Sequence, residues 1–137
     1  MLADFTITVH EGRKPMAVRV VIHEDVHDLR KAALMHYNNW QGRTARDVNL
    51  ETCLGVCHRF HMANDPVFAV VRLAPPNLGA GIVAHEMFHA VVHLWDVQTK
   101  WDEKERLTCE NDEWSAWVLG ELVRHTHNKL WEHGLYS

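Results

Sequence analysis

His85 and His89 stand four residues apart in the run Ala84-His85-Glu86-Met87-Phe88-His89-Ala90, with Glu86 between them. On a helix, residues four apart lie one turn apart on one face, so both imidazoles can point at one metal ion. Imidazole nitrogens suit zinc, and a carboxylate beside the ion but not bound to it can handle protons. The H-E-x-x-H pattern therefore points to metal-assisted hydrolysis, with Glu86 as the general base. From Ile82 to Trp95 the chain is apolar nearly all round apart from the histidines and Glu86, which predicts a helix buried through the middle of a domain. Burying Glu86 beside two imidazoles with no metal would leave a costly carboxylate.

Zinc needs a third protein ligand if its fourth position is to stay open for water. After His89 the candidates are His93, Asp96, Asp102, Glu103, Glu105, Glu110, Asp112 and Glu113. His93 continues the same helix and cannot fold back onto the ion, so it is expected beside the ligands or at the surface. A second helix should begin near Glu110-Asn111-Asp112-Glu113, because Trp114 to Val123 is apolar at spacings of three and four. Acidic residues suit a helix N-terminus whatever else they do. Ala116 and Gly120 fall on nearly the same face as Glu113, and small residues there would let this helix approach the His85/His89 helix closely. Glu113 is therefore the preferred third ligand of a single zinc ion, with Glu110 as the alternative.

With these residues the chain resembles the gluzincin class of zinc metallopeptidases, in which H-E-x-x-H is followed some twenty to thirty residues on by a glutamate on a second helix, often as E-x-x-A or E-x-x-S. Glu113-Trp114-Ser115-Ala116 has that form. More narrowly, His85 to Ala90 followed by Glu110-Asn111-Asp112-Glu113-Trp114-Ser115-Ala116-Trp117 looks like small phage and prophage proteins that pair H-E-x-x-H-A with E-N-x-E-x-x-A-aromatic. It is similar, more loosely, to minimal proteases that cleave phage-immunity repressors. The resemblance covers roughly Leu78 to Leu130. It implies a minimal zincin-like fold, one zinc ion and a peptide or protein substrate. Many gluzincins place an aspartate after the small residue to orient a ligand histidine, and here Trp117 stands in that place.

Other segments must position this pair. Phe5 to Val9 alternates as a strand, Glu11-Gly12-Arg13-Lys14-Pro15 turns the chain, and Met16 to Ile22 forms a second strand, so a hairpin opens the fold. Val26, Leu29, Ala33, Tyr37 and Trp40 recur at helical spacing, predicting about four turns behind the sheet that end at Gly42. Thr52 to Met62 alternates as a strand with Leu54, Val56, His58 and Phe60 on one side. Asn64-Asp65-Pro66 turns into the strand Val67 to Leu73, and Pro75 and Pro76 stop it before a metal helix that Asn77 can cap. The order predicts a single α+β domain over residues 1–137, with a small, mostly antiparallel sheet, a helix behind it and two packed active-site helices. A peptide substrate could lie extended along the sheet, on the Val67–Leu73 strand. His58, His61, His93, His125, His127 and Tyr136 are all open as oxyanion stabilisers.

At 137 residues and 47% hydrophobic composition the chain can bury a core without staples. Trp95, Trp114 and Trp117 fall where the two motif helices should pack. A net charge of −4 and a pI near 6.3 argue against nucleic acid as the main partner. Asp4 interrupts the N-terminal apolar residues and no apolar run is long enough for a signal peptide or a membrane span, so the expected compartment is a cytoplasm, that of the host if the gene is phage-borne. Cys53, Cys57 and Cys109, an odd number, read as free thiols. A second metal site built from Cys53, Cys57, His58 and His61 is disfavoured, because on a strand the two cysteines would lie ~13 Å apart. Besides a peptidase, the sequence admits a zinc-binding phage accessory module without catalysis, or a metal-free adaptor.

Overall fold

The structure, a computed structural model, describes residues 1–12, 14–41, 50, 52–60, 62–99 and 112–136. The N-terminal hairpin forms as its alternation demands. Strand β1 (Ala3–Val9) pairs antiparallel with β2 (Met16–Ile22), from Ala3 opposite Ile22 to Val9 opposite Met16. Gly12 in the turn has φ +128, a conformation that L side chains rarely adopt, and a Cβ there would strike the Gln98 side chain at 2.7 Å. Helix α1 (Val26–His36) starts at Asp25, whose Oδ1 accepts from the backbone N–H of Asp28 at 2.9 Å. It runs into a short π-helical segment, Tyr37–Gln41. Gly42, its expected end, lies outside the described residues. Strands β3 (Val56–Arg59) and β4 (Val67–Leu73) follow, then helices α2 (Ala80–Gln98) and α3 (Glu113–Glu132).

This is the expected element order and an α+β fold, but the sheet is mixed. Its order is β1-β2-β4-β3, with antiparallel outer pairs and a parallel central pair, β2 with β4. The reason is in β2, where every residue but Arg19 is buried. A strand buried on both faces belongs in the middle of a covered sheet, and α1 supplies the crossover that a parallel neighbour needs. Residues of α1 cover one face through Leu29 and Ala33, packed with Tyr37, Val56 and Ala74. On the other face α2 and α3 bury Met87, Val91, Leu94, Val118 and Leu122 against Ile7, Val18, Val20 and Val71. The strand expected from Thr52 shrinks to Val56–Arg59, leaving Leu54 off the sheet and exposed. No described helix is long and apolar enough to cross a membrane.

Both motif helices depart from their expected settings. Asn77 does not cap α2; Gly79 holds that position without a side-chain bond, and Asn77 forms a backbone bridge with Ala74. Nor is α2 buried all round, since Gly81, His85, Phe88 and His89 are exposed along one side. In α3 the inward stripe is Ser115, Val118, Leu122, Thr126 and Leu130, two of them polar. Glu113, Ala116, Trp117 and Gly120 lie outward instead, so the small residues do not set the approach of α3 to α2. Trp95 and Trp114 do meet between the helices, with ring centroids 5.6 Å apart, but Trp117 stays exposed.

A Cβ at Gly120 meets nothing within 4 Å. Exposed glycine in a helix interior costs about 1 kcal/mol relative to alanine. Gly120→Ala should therefore raise the unfolding free energy in urea by roughly 0.5–1 kcal/mol; a loss of stability would show that the position is packed.

Candidate metal centre

The core stripe of α2, Val83, Met87, Ala90, Val91 and Leu94, is fully buried against the sheet and α3. A second side of the same helix, carrying Ile82, His85, Glu86, His89 and His93, faces a cleft whose far wall is the segment Cys53 to Cys57. His85 and His89 come together there, with Nε2 atoms 3.3 Å apart. Two ligands ~2.0–2.1 Å from zinc at a tetrahedral angle lie about 3.3–3.4 Å apart, so this pair has the spacing of a tetrahedral edge. Without metal, one ring N–H can donate to the other nitrogen. The pair is accessible from solvent, as a site open to an ion and a substrate must be.

Glu86 points the opposite way in burial: it is 5% exposed, with Oε1 3.8 Å from His85 Nε2. Burial raises its carboxyl above the usual glutamate range, and the neighbouring His85 offsets this in part. The side chain fits because residue 55 is glycine. A Cβ on Gly55 would come 3.0 Å from Glu86 Cγ and 3.3 Å from its carboxylate carbon. The backbone at this crossing is held from α1, where Arg30 donates from Nε and Nη2 to the Cys53 carbonyl at 3.1 and 3.0 Å. Cys53 itself donates from Sγ to Leu50 O at 3.3 Å.

Two hollows of about 360 and 340 Å³ meet at His85 and Glu86, one reaching along α2 to His93, the other back to Gly81. Each is within the size range of ligand pockets. At the His93 end, Arg59 of β3 pairs with Asp96 of α2 at 3.3 Å. Cys57 also lines this groove. Burial, then the Glu86 charge, pushes its thiol up to about 12, so it stays protonated and is a poor metal ligand. Cys53 and Cys57 are free thiols, as expected.

Among the described residues no third His, Cys, Asp or Glu joins His85 and His89 in a metal-binding group. Glu113 is exposed in the first turn of α3, next to Trp114, which packs on Trp95. His85 and His89 lie ten and six residues before Trp95, about 9–15 Å along the α2 axis. Glu110, His61 and Cys109 lie outside the described residues. Of the residues open as oxyanion stabilisers, His93 is buried and lines the groove. His58 does not; it is fully buried on the α1 face of the sheet. His125 pairs with Glu121 at 3.2 Å on α3, and His127 bonds Tyr136, whose hydroxyl donates to Leu78 O at 2.8 Å. Sequence reasoning missed Cys53, Gly55 and Cys57 as groove residues and Arg30 as the residue that holds their segment. One signal was present: a glycine inside an expected strand often marks a close approach by another group.

Because Gly55 leaves the room Glu86 occupies, Gly55→Val should expel the carboxylate towards water and overpack the crossing, costing ~1–3 kcal/mol. In the metal-free protein, carbon-13 NMR titration should show the Glu86 carboxyl moving down, back towards the usual glutamate range. An unchanged titration together with unchanged stability would mean that Gly55 does not press on Glu86.

No known protein family matches this chain, and comparison with characterised proteins and with solved structures finds no match.

Proposed function

We propose that this protein is a zinc-dependent peptidase, with His85 and His89 as metal ligands and Glu86 as the general base. The observation that carries the reading is the 3.3 Å separation of the two Nε2 atoms beside a buried carboxylate. In this proposal a carboxylate completes the donor set: Glu110, or Glu113 once the first turn of α3, which stands beside Trp95, moves towards the histidines; the phage or prophage origin rests on the sequence resemblance alone. When bound there, zinc supplies Lewis acidity that polarises a carbonyl and makes water a better acid. Glu86 takes a proton from water in the groove and returns it to the leaving amine. Its raised carboxyl makes it a stronger base at neutral pH than an exposed glutamate.

The substrate's path differs from the one expected. Val67–Leu73 is an internal strand, flanked by β2 and β3, and cannot accept another strand. The edge strand beside it is β3, which pairs with β4 alone among the described strands and forms a wall of the groove. An extended peptide added to β3 would run past His85 and Glu86, drawing affinity from main-chain hydrogen bonds.

Protein purified without nickel resin should hold close to one zinc per chain by elemental analysis, and His85→Ala should lose it. Glu86→Gln should keep the metal and the fold but hydrolyse a casein or peptide-library substrate at least ~10²-fold more slowly. Loss of zinc in Glu113→Gln with retention in Glu110→Gln assigns the third ligand to Glu113; the reverse assigns Glu110. A chain without zinc overturns the proposal, and a zinc protein whose Glu86→Gln form works as well as the parent is a binding module, not an enzyme.

A further inference from the structure

The sheet face turned towards α1 carries positive charge that the described residues leave unbalanced. Asp4 accepts from Arg19 twice, Nε to Oδ1 at 3.0 Å and Nη2 to Oδ2 at 2.6 Å, so its carboxylate is engaged. Across the sheet on β4, partly buried Arg72 donates from Nε to His58 Nε2 and bonds His23 Nε2 through Nη1, each at 3.1 Å. A guanidinium has no lone pair, so both ring nitrogens must be the acceptors and both rings neutral. Burial is the main cause that holds His23 down at about 4 and His58 down at about 2, and the Arg72 charge adds to it. Among the described residues two guanidiniums therefore share one carboxylate here. A cation withdrawn from water calls for a counter-charge, and neutral imidazoles do not supply one.

A hollow of about 260 Å³ opens onto this cation, lined by Ala32, Met35, His36, Asn39 and Arg72. Among the described residues no carboxylate lines it. A guanidinium has five N–H donors; one goes to His58 and one to His23, leaving three without an acceptor among the described residues. His36 is 6% exposed, its ring stacks on His58 at 4.0 Å, and its Nε2 has no hydrogen-bond partner.

We propose that this hollow binds a small oxyanion, with phosphate as the better fit and a free carboxylate as the alternative source of the same chemistry. The free N–H groups of Arg72 form a fork for two oxygens, and the Asn39 amide adds a donor at the rim. Hydrogen phosphate brings up to two negative charges to the guanidinium, where acetate brings one. The carbonyl end of α1 offers an anion nothing favourable, so recognition rests on these side chains. The site lies on the face of the sheet opposite the groove and is independent of the peptidase reading.

Titrating nitrogen-15-labelled protein with sodium phosphate at pH 7, against sodium chloride at equal ionic strength, should give saturable shifts of the His36 ring and the Arg72 side-chain signals. Asn39→Asp places a resident carboxylate at the rim of an exposed helical turn, so the fold should persist while phosphate affinity falls at least about tenfold through like-charge repulsion. Arg72→Gln should remove binding altogether, and the Asn39 variant keeps the test valid if that protein does not fold. Tighter saturation by phosphate than by acetate assigns a phosphate site; equal or tighter saturation by acetate assigns a carboxylate site. Shifts that do not saturate with either ion, or phosphate affinity unchanged in Asn39→Asp, overturn the proposal.

Discussion

The rotation of α2 about its own axis is the constraint on which the rest depends. Val83, Met87, Ala90, Val91 and Leu94 must all reach the core, and they do so only in one setting of the helix. At 100° per residue that setting leaves His85 and His89 on the far side, exposed and one above the other. Glu86 falls at the flank, where the stripe meets the Cys53–Gly55 crossing. Burying the four larger side chains, Val83, Met87, Val91 and Leu94, at ~1.5–3 kcal/mol each outweighs the penalty of one sheltered carboxylate. Hydrophobic packing therefore places the chemistry, and the polar residues accept the positions left to them.

The elements were legible in the sequence because each carries its own periodicity. The hairpin, the β4 strand and the order of all described elements follow from local patterns of two or of three and four residues. What joins them does not. The parallel pairing of β2 with β4 spans more than forty residues, and no local pattern of β2 states which strand will be its neighbour. The phase of α3 was hidden for a different reason. Its buried stripe includes Ser115 and Thr126, the latter satisfied by donating to Leu122 O at 2.7 Å, while Trp117 and Trp131 remain outside. A reading that assigns tryptophan inward and serine outward must set this helix wrongly. The candidate site shows the same division: the i and i+4 histidines follow from helix geometry, whereas Gly55 and Arg30 act across chain separations that spacing cannot reveal.

The groove wall β3 is short, lies at the edge of the sheet, and is held from two sides by interactions of unequal strength. In front, Arg59 and Asp96 form an exposed ion pair, a kind worth ~0–1 kcal/mol and screened by salt. Behind, His58 is fully buried and accepts from the Arg72 guanidinium, a charge-assisted bond of the class worth ~1.5–3 kcal/mol. Successive residues of a strand face opposite ways, so Cys57 enters the groove while His58, beside it, enters the polar layer under α1. The larger of the two restraints on the groove thus belongs to the opposite face of the sheet. It follows that the geometry around His85 and Glu86 depends on Arg72 and its neutral imidazoles, residues that touch neither the histidine pair nor anything bound beside it.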